Sequence, residues 1–191
     1  MTDKKIFQDM RKELETFDQL REQLITESRE VIKQSKKAIY AAQRNSFKDA
    51  AKNLLEAKKQ LSKLHIIAAK NAKLATFSMY QAAVEEYTEA ALFIHYLEHK
   101  TVPSHTKLGV GAEEYICALS DMIGELVRKA VNSVITGKTE LAIEIKDFVQ
   151  DVYAELMLFD WRNSPTRKKF DVIKYHLEKL ENLVLQIKMK E

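Results

Sequence analysis

Cysteine, proline and glycine are nearly missing from this sequence. Among 191 residues there are one Cys, two Pro and four Gly. The single thiol, Cys117, excludes an internal disulfide and a cluster of thiolate metal ligands. Its apolar neighbours predict a core position. Both prolines, Pro103 and Pro165, fall in the second half. So few breakers leave little room for hairpins, and the chain is expected to be nearly all-α. Long hydrophobic runs are missing too. No stretch of about 18 apolar residues occurs, so no transmembrane helix and no membrane partner are expected. The start, MTDKKIFQDM, is charged and has no apolar signal core. The expectation is a cytoplasmic protein. Nor does charge of one sign prevail: 31 Lys and Arg against 28 Asp and Glu leave a net charge of +3. That excess is too small to establish a nucleic-acid partner, so the distribution of charge has to carry the argument. No phosphate-binding glycine loop, serine-centred elbow or Cys/His pair appears.

What is there is helix. Hydrophobic residues make up 46%, enough for a globular chain and one domain spanning residues 1–191. Residues 3–44 read as one long amphipathic helix, with Ile6, Met10, Leu14, Phe17, Leu20, Leu24, Val31, Ile32 and Ile39 recurring mainly at three- and four-residue steps. A helix of that length can span the whole domain or reach a neighbouring subunit. Ser46, with Asp49 three residues on, predicts an N-cap and a second helix to about Lys63. A third pattern runs from Ile66 to about His99 with no strong stop before it. Residues 101–111 hold Pro103, Gly109 and Gly111 and predict a reversing loop. Further helices are expected at Ala112–Ile135, closed by Gly137, and at Thr139 to Phe159. The last starts at the Ser164-Pro165 cap and runs on to the end. The expected fold class is all-α, a bundle of about six long, mostly antiparallel helices.

Two sets of polar residues stand out on these helices. The first is basic: Arg29, Lys33, Lys36 and Lys37 lie close on one side of the long helix, and Arg44 follows. A solvated face accounts for such a stripe, and so does a phosphate-contacting one. The second is acidic. Glu86 and Glu89 stand at i, i+3 and Asp121 and Glu125 at i, i+4, so each pair shares a helical face. The loop between them returns the second helix along the first, and the two pairs arrive at a similar level. Four converging carboxylates repel one another unless a positive charge sits among them. Oxygen-only donors suit Mg²⁺, or Mn²⁺ in its place, and such an ion can promote phosphodiester hydrolysis.

Spacing alone leaves these acids as ordinary exposed helix residues. Glu125 has a plain ion-pair partner in Arg128 at i+3. Two details argue the other way. Glu89 is followed by Ala-Ala-Leu-Phe-Ile, and Gly124 sits inside a helix where it costs about 1 kcal/mol relative to Ala. A small residue there can admit a close helix or a ligand. A di-iron carboxylate centre needs Glu-x-x-His on two helices, and the sequence has none. The five histidines show no zinc spacing. His95 and His99 share a face, in a context that predicts a core or interface role.

Four stretches together resemble the translin family, within it the translin-associated factor X type. They are Ser28 to Arg44, Glu85-Glu86-Tyr87-Thr88-Glu89-Ala90, Asp121 to Val134 (DMIGELVRKAVNSV), and Arg167-Lys168-Lys169-Phe170-Asp171 with Lys174-Tyr175. The resemblance covers almost the whole chain, in order. It implies a seven-helix fold, one helix more than the periodicity gives, with the unmarked join between residues 61 and 70 as the place for the extra boundary. It implies a Mg²⁺-dependent endoribonuclease cleaving single-stranded RNA within a hollow octamer. The alternative is a non-catalytic single-stranded RNA- or DNA-binding oligomer. Glu86, Glu89, Asp121 and Glu125 would be both catalytic and metal-binding. Arg29, Lys36, Lys37, Arg44, Arg167, Lys168 and Lys169 would hold the RNA backbone. The chain is shorter than the eukaryotic members, which leads to the expectation of a homo-oligomer built from this chain alone.

Overall fold

The computed structural model describes residues 3–190, and helices account for almost all of them. In chain order they are α1 (Lys4–Gln43), α2 (Phe47–Ala68), α3 (Ala72–Ala75), α4 (Ser78–His99), α5 (His105–Leu108), α6 (Ala112–Ile135), α7 (Thr139–Leu156) and α8 (Pro165–Lys188). Six are long and two are single turns. No strand occurs among the described residues, and no helix there is long and apolar enough to cross a membrane.

Local chemistry sets most boundaries. The Asp3 carboxylate accepts from Lys5 N at the start of α1. Ser164 Oγ accepts from Arg167 N ahead of Pro165, so proline sits where its missing N–H costs nothing. Past α6, Gly137 takes φ 78°, the left-handed turn that glycine permits.

Three boundaries differ from expectation. Ser46 occupies the N-cap position of α2, but its side chain makes no capping bond there. Helix α2 runs past Lys63 to Ala68, so its end falls inside the expected join at 61–70, and the break extends to residue 77. It is made without glycine or proline, by the short α3, whose cap Asn71 accepts from Lys73 N. Helix α7 stops at Leu156 and not at Phe159, where Trp161 Nε1 bonds back to the Leu156 carbonyl.

Helix α1 packs along α2 and α4, α4 on α6, and α6 on α7 and α8. The packing makes two apolar clusters. In one, Leu24 and Val31 of α1 meet Leu61, Leu64, Leu74, Val84 and Tyr87. In the other, Leu92, Phe93 and Tyr96 of α4 meet Met122, Ile123 and Leu126 of α6, with Ile145, Ile173 and Leu180. Each fully buried large side chain contributes about 1.5–3 kcal/mol. An aromatic stack closes the second cluster: Tyr153 on Phe170 (5.5 Å), Phe170 on Trp161 (4.9 Å) and Trp161 on Phe159 (5.4 Å). It fixes the start of α8, next to Lys169. The first turns of α1 stand apart, with Ile6, Phe7, Met10 and Leu14 between 52% and 64% exposed.

Candidate metal and nucleic-acid site

The reversal between α4 and α6 brings the acids together. Lys100 closes α4 in a left-handed conformation (φ 59°), and Gly109 repeats it after α5 (φ 71°). The Tyr115 hydroxyl donates to the Pro103 carbonyl at 2.8 Å, tying the loop to α6. Glu86 and Glu89 precede Phe93 by seven and four residues, so they continue the face by which Phe93 enters the core. They therefore lie at the edge of packed apolar surface, partly buried.

Glu89 records the result. Its carboxyl is pushed up to about 8, first by burial and then by the charges of Glu86, Asp121 and Glu125, with Lys169 opposing. Carboxylates act on one another this way only at short range. At neutral pH, without a cation, Glu89 holds its proton. Glu85 was not singled out in the sequence but belongs to the same group. Burial raises its carboxyl; Lys169 lowers it, and Asp121, Glu114 and Glu86 raise it further. It stands at i, i+4 to Glu89, a spacing readable in the sequence.

Two lysines face these acids from other helices. Lys36 of α1 pairs with Glu86 of α4 at 3.1 Å. Lys169 of α8 pairs with Asp121 of α6. Burial lowers the Lys169 ammonium, but its bond to Asp121 and the charges of Asp121 and Glu85 outweigh that and raise it. Glu125 is held separately. Gln43 Nε2 donates to the Glu125 carboxylate at 2.7 Å and to its carbonyl at 2.9 Å, and Arg128 stands 3.7 Å away. Gln43 is itself set by Lys129. That buried ammonium donates to the Ala42 carbonyl (2.9 Å), the Gln43 carbonyl (3.0 Å) and Asn45 Oδ1 (2.8 Å). It thus satisfies the carbonyls that end α1. Gly124 admits a close helix: a Cβ there would lie 3.4 Å from His176 Nε2 of α8.

The basic residues divide into two groups. Arg29, Lys37, Arg44 and Lys168 are exposed and make no ion pair among the described residues. Lys36, Lys169 and Arg167 are paired, the last with Asp171 at 2.9 Å. Side chains of α1, α4, α6 and α8 thus meet at the acidic group, and four further cations on or at the end of α1 and α8 are exposed.

By donor chemistry the carboxylates fit a hard divalent ion, which takes oxygen ligands. In their present rotamers they do not: among the described residues no group of three or more His, Cys, Asp or Glu is arranged to hold a metal. Lys36 and Lys169 hold the oxygens of Glu86 and Asp121 instead.

Known proteins match this chain in sequence and in fold. The Translin family model matches residues 19–191. Translin of Gallus gallus is 28% identical over 114 residues, 52% of this chain and 50% of that protein. The match thus spans about half the length of that relative. Translin-associated protein X of Rattus norvegicus is 24% identical, with 96% of this chain and 78% of that protein covered. The crystal structure of apo-NeC3PO superposes with a TM-score of 0.89 at 24% identity, covering 97% of this chain and 98% of that one. The AfC3PO complex with duplex RNA gives 0.84 at 24% identity, covering 97% of each chain. At these identities the structural likeness is one of fold.

Proposed function

The chain belongs to the translin family, and from that premise we propose that it is a divalent-metal-dependent endoribonuclease acting on single-stranded RNA inside a hollow homo-octamer. The observation that carries the reading is Glu89, a carboxyl pushed up to about 8 among three further acids. Perturbed, clustered carboxyls in a cleft mark functional sites more often than structural ones. Glu86, Glu89 and Asp121 would hold Mg²⁺, or Mn²⁺ in its place, with Glu125 as a further ligand. When bound, such an ion polarises a phosphodiester and eases deprotonation of water.

The rest is done by the chain's own side chains. Gln43 fixes the Glu125 carboxylate from the end of α1. Arg29, Lys37, Arg44 and Lys168 are exposed and would hold the RNA backbone, giving affinity without choice of sequence. Arg167 lies close behind, paired with Asp171. The exposed apolar side chains of Ile6, Phe7, Met10 and Leu14 offer surface for other copies of the chain. What AfC3PO holds is duplex RNA, so both strand forms belong in the test.

The ion-paired state of Glu86 and Asp121 favours a second reading, a non-catalytic single-stranded RNA- or DNA-binding oligomer in which lysines neutralise the acids permanently. Cleavage of labelled single-stranded and duplex RNA, with Mg²⁺ and with EDTA, separates the two. The nuclease reading expects cleavage with Mg²⁺ that EDTA stops and Glu89→Ala removes. Binding without cleavage in the presence of Mg²⁺ selects the second. Size-exclusion with light scattering tests the octamer.

A further inference from the structure

The two lysines that neutralise the acidic floor come from outside the helices that carry it. Lys36 reaches across from α1 and Lys169 from α8. Both contacts are therefore set by tertiary packing and not by helical neighbours. Packing anchors the backbones behind them. Ser35 and Ala38 are buried on either side of Lys36. The Lys169 carbonyl accepts from Ser120 Oγ at 2.7 Å, the residue next to Asp121, and Phe170 is locked in the aromatic stack.

The ammonium groups themselves are not locked. The Lys36 side chain is 50% exposed and that of Lys169 37% exposed, each on a flexible four-carbon stem. A divalent ion arriving at Glu86 and Asp121 needs the same oxygens that the lysines hold. Swinging outward, each ammonium group turns into the solvent to which Lys37 and Lys168, its chain neighbours, are also exposed. The anchored backbone and free head suit an exchange between two positions.

Resting on the metal-site reading above, we propose that Lys36 and Lys169 are exchangeable counter-cations: each leaves its carboxylate when the divalent ion binds, and the freed ammonium group turns to the RNA phosphate at the cleft. Metal and RNA then bind with positive coupling, and the coupling is reciprocal. The ion supplies the backbone with two more cationic contacts, and RNA, by drawing the lysines away, uncovers oxygens for the ion. Permanently neutralising lysines give no such coupling.

Calorimetric titration of Mn²⁺ into the RNA-free protein tests the exchange. Lys36→Met and Lys169→Met are each expected to tighten Mn²⁺ binding by about tenfold, because the competing cation is gone. Lys33→Met, on the same face of α1 and paired with Glu30, is the charge control and should shift it by less than about twofold. Fluorescence anisotropy with a cleavage-resistant phosphorothioate single strand reads the second half. Mn²⁺ should strengthen RNA binding by wild type, and the Lys36→Met/Lys169→Met double variant should lose that enhancement. Met variants whose Mn²⁺ affinity matches Lys33→Met overturn the exchange, and if wild type still cleaves RNA with Mg²⁺ the nuclease reading survives alone. The expected shifts without any cleavage leave the exchange standing and remove the nuclease reading. No Mn²⁺ uptake by wild type removes both.

Discussion

The two halves of α1 use the same helical pattern to opposite ends. In the inner half, Leu24, Val31, Ala38, Ile39 and Ala42 are at most 4% exposed. In the outer half, Ile6, Phe7, Met10 and Leu14 recur at similar steps and are more than half exposed. A period of three and four residues fixes which side of a helix is apolar; it does not supply the surface that covers it. The inner half is covered by α2 and α4, and every α1 residue that reaches the acidic cleft lies in it or at its end. Between the two, Phe17 and Leu20 still pack on the first cluster; the turns before them have no such cover among the described residues, which suits an assembly surface.

The cleft provides the widest separation of the two halves. Glu89→Ala, opposite the inner half, is expected to cut Mg²⁺-dependent RNA cleavage by about a hundredfold or more, measured at saturating RNA, since a metal ligand carries several kcal/mol of transition-state stabilisation. Cavity formation comes next. Leu24→Ala should cost about 2–5 kcal/mol in urea unfolding, while Leu14→Ala should stay within about 0.5 kcal/mol if its site is open to water. A large cost at Leu14 would mean that a second subunit covers it, and would erase the contrast in the assembled protein.

Titration of Glu89 touches only the inner half. Its carboxyl rises from the ordinary range to about 8 on folding, so the folded state binds the proton more tightly than the unfolded one. The stabilisation is complete below about pH 4.5 and is lost as pH climbs through about 8. Metal-free Glu89→Gln should therefore be more stable than wild type in urea unfolding at pH 8, by about 4 kcal/mol at most, and the two should converge near pH 4.5. A pH-independent difference would place the effect elsewhere. A smaller loss than that at Leu24 is expected at the anchor. Lys129→Met strips the end of α1 of three charge-assisted bonds and should cost about 1–2 kcal/mol in chemical unfolding. Because Gln43 loses its support, cleavage should fall with it.

Sequence pattern sufficed for the long elements because their caps and breakers are local. Ser164-Pro165, Gly137 and the 101–111 loop are read within a few residues. The end of α2 falls in the expected 61–70 window, but its position within it carries no breaker, because Asn71 does there what glycine or proline usually does. For the site, i, i+3 and i, i+4 spacing picked out Glu86, Glu89, Asp121 and Glu125, and the same rule applied once more would have added Glu85. Hidden from view were the partners across the fold: Lys36 with Glu86, Lys169 with Asp121, Gln43 with Glu125. Those pairs join residues roughly fifty to eighty positions apart, and only packing decides them. The basic stripe looked uniform in sequence for the same reason. Lys36 and Lys37 are adjacent letters, yet one pairs with Glu86 and the other is exposed with no ion pair among the described residues.

Helix α1 also has a mechanical side. Forty residues make a rod of about 60 Å. Its foot is clamped by Lys129 and carries Gln43, which grips Glu125; its far end is bare. The packed inner half holds that foot in place. The exposed apolar turns and the hold on Glu125 are thus kept at opposite ends of one helix.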